Sequence, residues 1–168
     1  HVVAVDVGYG QIAWRLREDP RVTVLERTNV RTLDPAAVAP APGLVVGDLS
    51  FISLTLVIPS LVRAAAAEAD FLLLVKPQFE VGRERLGAGG VVRDTRLHAE
   101  TVMAVSACAR SHGLDVLAAI ASPLPGPAGN VEYFLHMRAG SGQEPDGGLE
   151  SAVRSAIATG PAGKEARK

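Results

Sequence analysis

Short continuous runs of apolar residues alternate along this chain with longer stretches in which apolar positions recur at helical spacing. The first pattern predicts buried strands, and the second predicts the helices that connect them. The strands are expected at residues 2–7, 22–26, 44–47 and 71–75. The helices are expected at residues 11–18, 54–67 and 94–112. This alternation is typical of an α/β fold with a parallel sheet that is covered on both faces.

The C-terminal part of the chain departs from this alternation. Two further strands, at residues 115–121 and 131–137, are joined by a loop rich in proline and glycine that contains no helix. Because a parallel pair needs a crossover of about a dozen residues or more, we expect these strands to pair antiparallel. A linker at residues 139–148 precedes a terminal helix at 149–159. We therefore predict one domain, residues 1–160, with a mostly parallel sheet and an antiparallel last strand, followed by a disordered tail at 161–168.

Composition narrows the class of protein. Hydrophobic residues make up 48% of the chain and aromatic residues only 4%, which suits a sheet covered by helices. The net charge of −1 gives no global sign of nucleic-acid binding, so any affinity for RNA must be local. The single cysteine, Cys108, fits a reducing compartment, and no apolar stretch reaches the roughly 18 residues that span a bilayer. A cytoplasmic protein is expected, and the start at His1 suggests that an upstream segment has been removed.

Lys76 is the most informative residue, because the only other lysines among the 17 basic residues are Lys164 and Lys168 near the C-terminus. Lys76 follows the apolar run at 71–75, so it is expected at the C-terminal edge of a buried strand, where open α/β sheets bind ligands. Lysine, unlike arginine, can lose its proton when it is desolvated. Lys76 is therefore a candidate base. The alternative is a lysine whose stem packs on the sheet while its ammonium group reaches water.

Two carboxylates occupy comparable positions beside other strands. Asp48 follows the apolar run at 44–47, and Glu132 stands at the start of the last predicted strand. One such carboxylate would be ordinary at the edge of a sheet, but together with Lys76 the two predict a shared site. The four histidines show no spacing typical of metal ligands, so no metal is expected.

A competing signal lies near the N-terminus. The string GYGQIA, which begins at Gly8, matches the dinucleotide fingerprint G-x-G-x-x-A, with Glu26 downstream as a ribose ligand. This pattern indicates a nicotinamide-dependent oxidoreductase. Asp6 argues against it, because its carboxylate would lie near the pyrophosphate, whereas a carboxylate at that strand end suits the two hydroxyls of a ribose. A plain turn at the start of a helix is a third interpretation.

The chain also resembles a known family. The matching strings are VDVGYGQIAWRLR, VLERTNVR, GDLSFISL, LLVKPQFEVG, GGVVRD and SPLPGPAGNVEYF. They resemble the hemolysin-A-type ribosomal RNA methyltransferases, a branch of the FtsJ-like 2′-O-ribose methyltransferases, over residues 1 to about 138. The resemblance implies a Rossmann-like, S-adenosylmethionine-dependent methyltransferase domain. It also implies that the first strand with its Gly-rich cofactor loop, and an N-terminal S4-type RNA-binding domain, are missing from this sequence.

The resemblance further implies a site and its substrates. The family uses a Lys-Asp-Lys-Glu tetrad on the 2′-hydroxyl, and Asp48, Lys76 and Glu132 match its last three members, while the first lysine has no counterpart. The implied cofactor is S-adenosylmethionine, and the implied partners are ribosomal RNA or ribosomal subunits, with cytidines of both subunits as targets and no membrane partner. The implied cofactor-binding residues are Asp6, Val7, Asn29, Val30, Asp48 and Phe51.

RNA contacts are expected from arginines near the active edge of the sheet. The candidates are Arg27, Arg31, Arg83 and Arg93. The family name raises a hemolysin as another alternative. No long basic amphipathic helix with an aromatic face is present in the sequence, so pore formation is not favoured.

Overall fold

In the computed structural model, which describes residues 1–126, 128–140 and 148–162, the apolar runs form strands. The strands are β1 (Val2–Val5), β2 (Val22–Leu25), β3 (Leu44–Gly47), β4 (Asp70–Val75), β5 (Leu114–Ala121) and β6 (Tyr133–Ala139). The α-helices are α1 (Trp14–Arg17), α2 (Ile58–Ala64), α3 (Pro77–Glu80), α4 (Thr95–Ser111) and α5 (Leu149–Thr159). Every predicted strand is present, and the bounds differ from the prediction by two residues at most.

The strands of the described residues form two hydrogen-bonded sheets. β1 pairs with β2 in parallel, and the second sheet has the order β3-β4-β6-β5. β3 and β4 are parallel, whereas β6 runs antiparallel to both β4 and β5. The predicted mixed sheet, mostly parallel with an antiparallel last strand, is confirmed. The prediction of one sheet is wrong for the described residues, because no strand ladder joins β1 to β3 there.

The core lies on one face of the larger sheet. Phe71, Leu73 and Val75 alternate along β4 on this face and are at most 1% exposed, as the two-residue repeat of a strand requires. Val102 and Val105 of α4 are fully buried against the same layer. α2 and α5 complete the cover on this side. Burial of this face fixes the positions of the strand ends that carry the charged residues.

The opposite face of the larger sheet has no helical cover within the described residues. Leu44 and Val46 of β3 are 61% and 68% exposed, and Leu72 and Ile120 continue the exposed row. The expectation that both faces are covered is therefore not met in this part of the chain. The expectation was based on the continuous apolar runs of the strands. These runs correctly indicate that both faces of the sheet are apolar, but they do not show which helices pack on the second face.

The helices differ more from the predictions than the strands do. α1 has four residues instead of the predicted eight, because the Gln11 N–H donates to Glu26 and holds the chain in a turn ahead of Trp14. The predicted helix at 54–67 is divided into a 3-10 turn, Leu54–Leu56, and α2. α4 begins where the sequence predicts, since the Asp94 side chain accepts a hydrogen bond from the Arg96 N–H at 2.9 Å.

The C-terminal helix is confirmed at Leu149–Thr159. Part of the predicted linker, 141–147, and most of the predicted tail, 163–168, lie outside the described residues. Ala162 is buried against the core, so the part of the predicted tail that is described packs on the domain. For 163–168 the tail stays a prediction.

Candidate active site

The ends of β3 and β4 bring Asp48 and Lys76 together. These strands are parallel, and Gly47 lies opposite Leu73, so the residues that follow them share one edge of the sheet. Lys76 Nζ lies 2.6 Å from Asp48 Oδ1 and 3.2 Å from Ser50 Oγ. The lysine predicted at the edge of the sheet therefore meets its carboxylate partner there.

The reversed direction of β6 adds Glu132 to this edge. β6 pairs antiparallel with β4 up to the pair Val75 and Tyr133, which places the residue before Tyr133 beside the residue after Val75. Glu132 Oε1 is 4.0 Å from Lys76 Nζ. A parallel last strand would have put Glu132 at the other end of the sheet.

The three charged groups differ in their exposure. Lys76 and Glu132 are 9% and 5% exposed, whereas the Asp48 side chain is 72% exposed. Buried charges are costly unless they are paired, and here the ammonium group lies between two carboxylates. Asp48 therefore faces the open side of the site, and Glu132 faces the interior.

Phe51 forms an apolar wall beside these charges. Its side chain is 90% exposed, and its ring centroid lies 5.1 Å from that of Phe79. Lys76 Nζ lies 6.0 Å from the centroid of Phe79. The φ of Phe51 is +63°, which costs free energy for a residue with a side chain and is found mostly at functional sites. This backbone conformation places an exposed aromatic ring against Phe79, whose own ring lies near the lysine.

A half-buried carboxylate holds the loop that carries Asp48 and Phe51. Glu80 of α3 accepts hydrogen bonds from Ser53 Oγ at 2.6 Å and from the Leu54 N–H at 2.8 Å. Burial raises the pKa of Glu80 above its usual range, and the two hydrogen bonds act against that rise. The loop after β3 is thus tied to α3, which begins directly after Lys76.

The other predicted cofactor residues lie on the smaller sheet and the segment after it. Asp6 Oδ1 accepts a hydrogen bond from the Gly8 N–H at 2.6 Å, and Val7 is 73% exposed. Asn29 accepts from the Arg31 N–H and caps the 3-10 turn Val30–Thr32. Within the described residues, no hydrogen bond or ion pair joins these residues to Asp48, Lys76 or Glu132.

The geometry does not favour a dinucleotide at the GYGQIA turn. The Glu26 carboxylate forms an ion pair with Arg17 and accepts a hydrogen bond from the Gln11 N–H, so it is already engaged. The turn also leads into a helix of only four residues, Trp14–Arg17, which offers little of the helix dipole that binds a pyrophosphate.

The arginines predicted to contact RNA are exposed. The Arg27 guanidinium lies 4.5 Å from the centroid of the Tyr9 ring. Arg31, Arg83 and Arg93 are exposed as well, and Arg83 begins a 3-10 turn in the loop after α3. The structure thus leaves these side chains accessible to solvent.

Ser50 and Gln78 contact the charged cluster and were not singled out from the sequence. Ser50 accepts a hydrogen bond from Lys76, and Gln78 Nε2 donates to Glu132 Oε1 at 2.9 Å. Both lie inside the strings GDLSFISL and LLVKPQFEVG, so the signal was their place beside Asp48 and Lys76 in these strings. Among the described residues, no three His, Cys, Asp or Glu side chains form a cluster that could hold a metal ion.

Comparison with known families supports the resemblance seen in the sequence. The model of the FtsJ-like methyltransferases matches residues 1–139. The chain belongs to this family. It is 56% identical over 162 residues to the 16S/23S rRNA (cytidine-2′-O)-methyltransferase TlyA of Mycobacterium tuberculosis, a match that covers 96% of this chain and 60% of that protein. The chain thus spans about 60% of the length of this curated FtsJ-like relative.

Solved structures agree with this assignment. A candidate hemolysin from Streptococcus thermophilus superposes with a TM-score of 0.89 at 34% identity, covering 98% of this chain and 58% of that one. A SAM-dependent methyltransferase from Methanosarcina mazei superposes with a TM-score of 0.52 at 10% identity, covering 83% of this chain and 92% of that one. The second likeness shows the fold alone, and it confirms the predicted methyltransferase fold class. No helix in the described part of this FtsJ-like chain is long and apolar enough to cross a membrane.

Proposed function

We propose that the complete protein transfers a methyl group from S-adenosylmethionine to the 2′-hydroxyl of cytidine in small- and large-subunit ribosomal RNA. The observation that carries the proposal is the cluster of Asp48, Lys76 and Glu132 at the C-terminal edge of the sheet, with Lys76 Nζ 2.6 Å from Asp48. The name of the relative TlyA, which is 56% identical to this chain, supports the choice of cytidine and of both ribosomal RNAs.

Lys76 is the residue that acts on the hydroxyl. S-adenosylmethionine supplies an electrophilic methyl group on a sulfonium, and the hydroxyl oxygen must lose its proton as it gains that methyl group. The amine of Lys76 accepts this proton, or its ammonium form stabilises the negative charge that develops on the oxygen while the proton passes to solvent water. In either case the reacting oxygen has to lie within hydrogen-bond distance of Nζ.

The two carboxylates have separate roles. Asp48 is exposed and pairs directly with Lys76, so it directs Nζ toward the open side of the site, where RNA and the methyl donor meet. Glu132 is buried behind the lysine and orients it from the interior. An in-line approach of oxygen to methyl group depends on such orientation, because small displacements of reacting groups are costly in rate.

The proposed cofactor residues offer groups that suit S-adenosylmethionine. Asp6 uses one carboxylate oxygen on the Gly8 N–H, and its other oxygen makes no hydrogen bond within the described residues, which leaves it for the hydroxyls of the ribose. Val7, Asn29 and Val30 continue this edge toward the adenine. Phe51, together with Asp48, is proposed to bound the methyl donor on the side of Lys76.

Ribosomal RNA or a ribosomal subunit is the proposed partner. Because the net charge of the chain is −1, contact with phosphates is assigned to a local set of side chains. The proposed contacts are Arg27, Arg31, Arg83 and Arg93. The first two follow the end of β2, and the last two flank the loop after α3.

The test is methyl transfer by the complete protein. Purified ribosomal subunits are incubated with S-adenosylmethionine that carries a labelled methyl group, and the RNA is digested to nucleosides. We expect label in 2′-O-methylcytidine, and none with the Lys76→Ala variant. Label on a base instead of a ribose would contradict the proposal. Calorimetry with S-adenosylhomocysteine against NAD, and leakage of liposomes, test the nicotinamide and hemolysin alternatives on the same preparation.

A further inference from the structure

The buried carboxylate of Glu132 depends on Gln78 for its hydrogen bond. Lys76 Nζ is 4.0 Å from Glu132 Oε1, which is beyond hydrogen-bond distance. Gln78 Nε2 donates to the same oxygen at 2.9 Å, and this is the one hydrogen bond to the carboxylate within the described residues. A carboxylate that is only 5% exposed needs such a partner.

The position of Gln78 couples this hydrogen bond to the lysine. Lys76 is the N-cap of α3, and Pro77 occupies the first helical position. Gln78 is therefore the second residue of this short helix, two residues after Lys76. Its amide nitrogen faces Glu132, as it must, because two acceptor oxygens would repel each other. The segment that carries Lys76 therefore also carries the group that holds Glu132.

Gly126 bounds the carboxylate on another side. A Cβ atom at Gly126 would lie 2.8 Å from Glu132 Oε1, closer than real Cβ contacts come, and 3.4 Å from the carboxyl carbon. The Gly126 N–H donates to the Asn130 carbonyl at 2.8 Å, and its own carbonyl accepts from the Gly129 N–H at 2.8 Å. The turn before β6 thus packs Gly126, which has no side chain, directly against the Glu132 carboxylate.

We propose that Gln78 and Gly126 are positioning residues that fix the Glu132 carboxylate at its distance from Lys76. This inference rests on the proposed methyl transfer. Without the Gln78 amide, the carboxylate gains its missing partner by closing on Lys76 Nζ, which draws the ammonium group away from Asp48 and from the hydroxyl. A side chain at position 126 displaces the same carboxylate by direct contact.

The first experiment compares matched variants of the complete protein. Gln78→Leu removes the donor with little change in volume, and Gly126→Ala adds one methyl group against Glu132. We expect kcat to fall about 10- to 100-fold in both, the range known for hydrogen-bond partners that orient metal ligands, with KM for S-adenosylmethionine and for RNA unchanged. Gly43→Ala is the control, because a Cβ there meets nothing within 4 Å, and it should keep wild-type kcat.

A second set of variants separates positioning from a general structural effect. In a Glu132→Gln background, adding Gln78→Leu should cause no further loss, since both act through one carboxylate. Gln78→Glu keeps the shape of the side chain but needs a shared proton to bridge the two carboxyl groups. Its kcat should therefore recover toward low pH, relative to wild type, as that proton is taken up. This readout remains if Gln78→Leu fails to fold.

The outcomes distinguish this inference from the proposed function. Full methylation by both Lys76→Ala and Glu132→Gln would overturn the proposed site itself. If those variants are inactive while Gln78→Leu and Gly126→Ala keep wild-type kcat, only the positioning roles are wrong. A further multiplicative loss from Gln78→Leu in the Glu132→Gln background would also contradict action through Glu132.

Discussion

Replacement of Lys76 by arginine separates the charge of this residue from its ability to accept a proton. Lys76 is 9% exposed, and its Nζ contacts Asp48 at 2.6 Å and Ser50 at 3.2 Å. A guanidinium group can pair with the same aspartate, so Lys76→Arg keeps the positive charge and the ion pair. The guanidinium group stays protonated in proteins and has no atom that can accept a proton. Any step in which Lys76 takes up a proton is therefore lost.

The size of the loss follows from the role that is removed. General acid–base catalysis by a positioned side chain contributes about 10²- to 10⁴-fold in rate, which corresponds to about 2.7–5.4 kcal/mol of activation free energy. We expect kcat of Lys76→Arg to fall by this factor, while the affinity for S-adenosylmethionine changes little. Thermal unfolding of the variant, measured in parallel, checks that the buried site still folds around the larger side chain.

The assay is the initial rate of 2′-O-methylcytidine formation by the complete protein at saturating donor and RNA. Lys76→Ala provides the reference for loss of both charge and base. If Lys76→Arg methylates at close to the wild-type rate, the proton-accepting role is wrong. The remaining role for Lys76 is then stabilisation of the developing oxyanion by its positive charge. If both variants are equally inactive and both remain folded, the amine itself is required.

Three further predictions concern the site, the RNA surface and the core. Asp48→Ala should lower turnover strongly and weaken S-adenosylmethionine binding more modestly, as measured by single-turnover rates and calorimetry, and unchanged turnover would remove Asp48 from the site. Alanine at all four of Arg27, Arg31, Arg83 and Arg93 should make the slope of log K against log salt less steep by about 0.9 for each phosphate contact, in RNA titrations at several salt concentrations; an unchanged slope would place the RNA surface elsewhere. Leu135→Ala, at a fully buried position of β6, should lower the free energy of unfolding by about 2–5 kcal/mol in urea titrations, and a loss below about 1 kcal/mol would contradict the described core.

The strands and the charged cluster could be read from the sequence because they depend on local patterns and on simple rules of connection. Continuous apolar runs located β3 and β4, and parallel strands bring their C-terminal ends to one edge, which joins Asp48 to Lys76. The loop without a helix predicted that β6 runs antiparallel to β5. The structure adds that β6 also pairs with β4, and this antiparallel pairing brings Glu132 to the same edge.

Contacts that depend on tertiary distance could not be read in this way. Gln78 and Gly126 are 54 and 6 residues from Glu132 in sequence, and nothing in their spacing indicates that both touch its carboxylate. For Glu26, in contrast, the sequence suggested a ligand contact that the structure does not favour. Its spacing from the GYGQIA turn fitted a ribose ligand, but Arg17 lies within reach and occupies the carboxylate. The identity of a residue and its spacing in the sequence do not determine which side chain it contacts in the folded structure.

A buried histidine beside the site should make the stability of the domain depend on pH. His98 is 1% exposed, its Nε2 is 2.8 Å from the Val92 carbonyl, and its Nδ1 is 2.8 Å from the Tyr133 hydroxyl. The carbonyl can only accept, so Nε2 carries the proton and Nδ1 accepts from the phenol in the neutral ring. Burial raises the pKa of Tyr133, which keeps this donor protonated.

Burial likewise lowers the pKa of His98 below its ordinary value of 6.5, against the opposing effects of the Val92 carbonyl and Asp94. Below pH 6.5 the unfolded chain binds a proton that the folded chain still excludes, so the free energy of unfolding falls as the pH falls through this range. In urea titrations between about pH 8 and pH 5, the free energy of unfolding should therefore fall more steeply with falling pH for the wild type than for His98→Gln, which has no ionisable group at this position. Parallel curves would mean that His98 takes up its proton without unfolding.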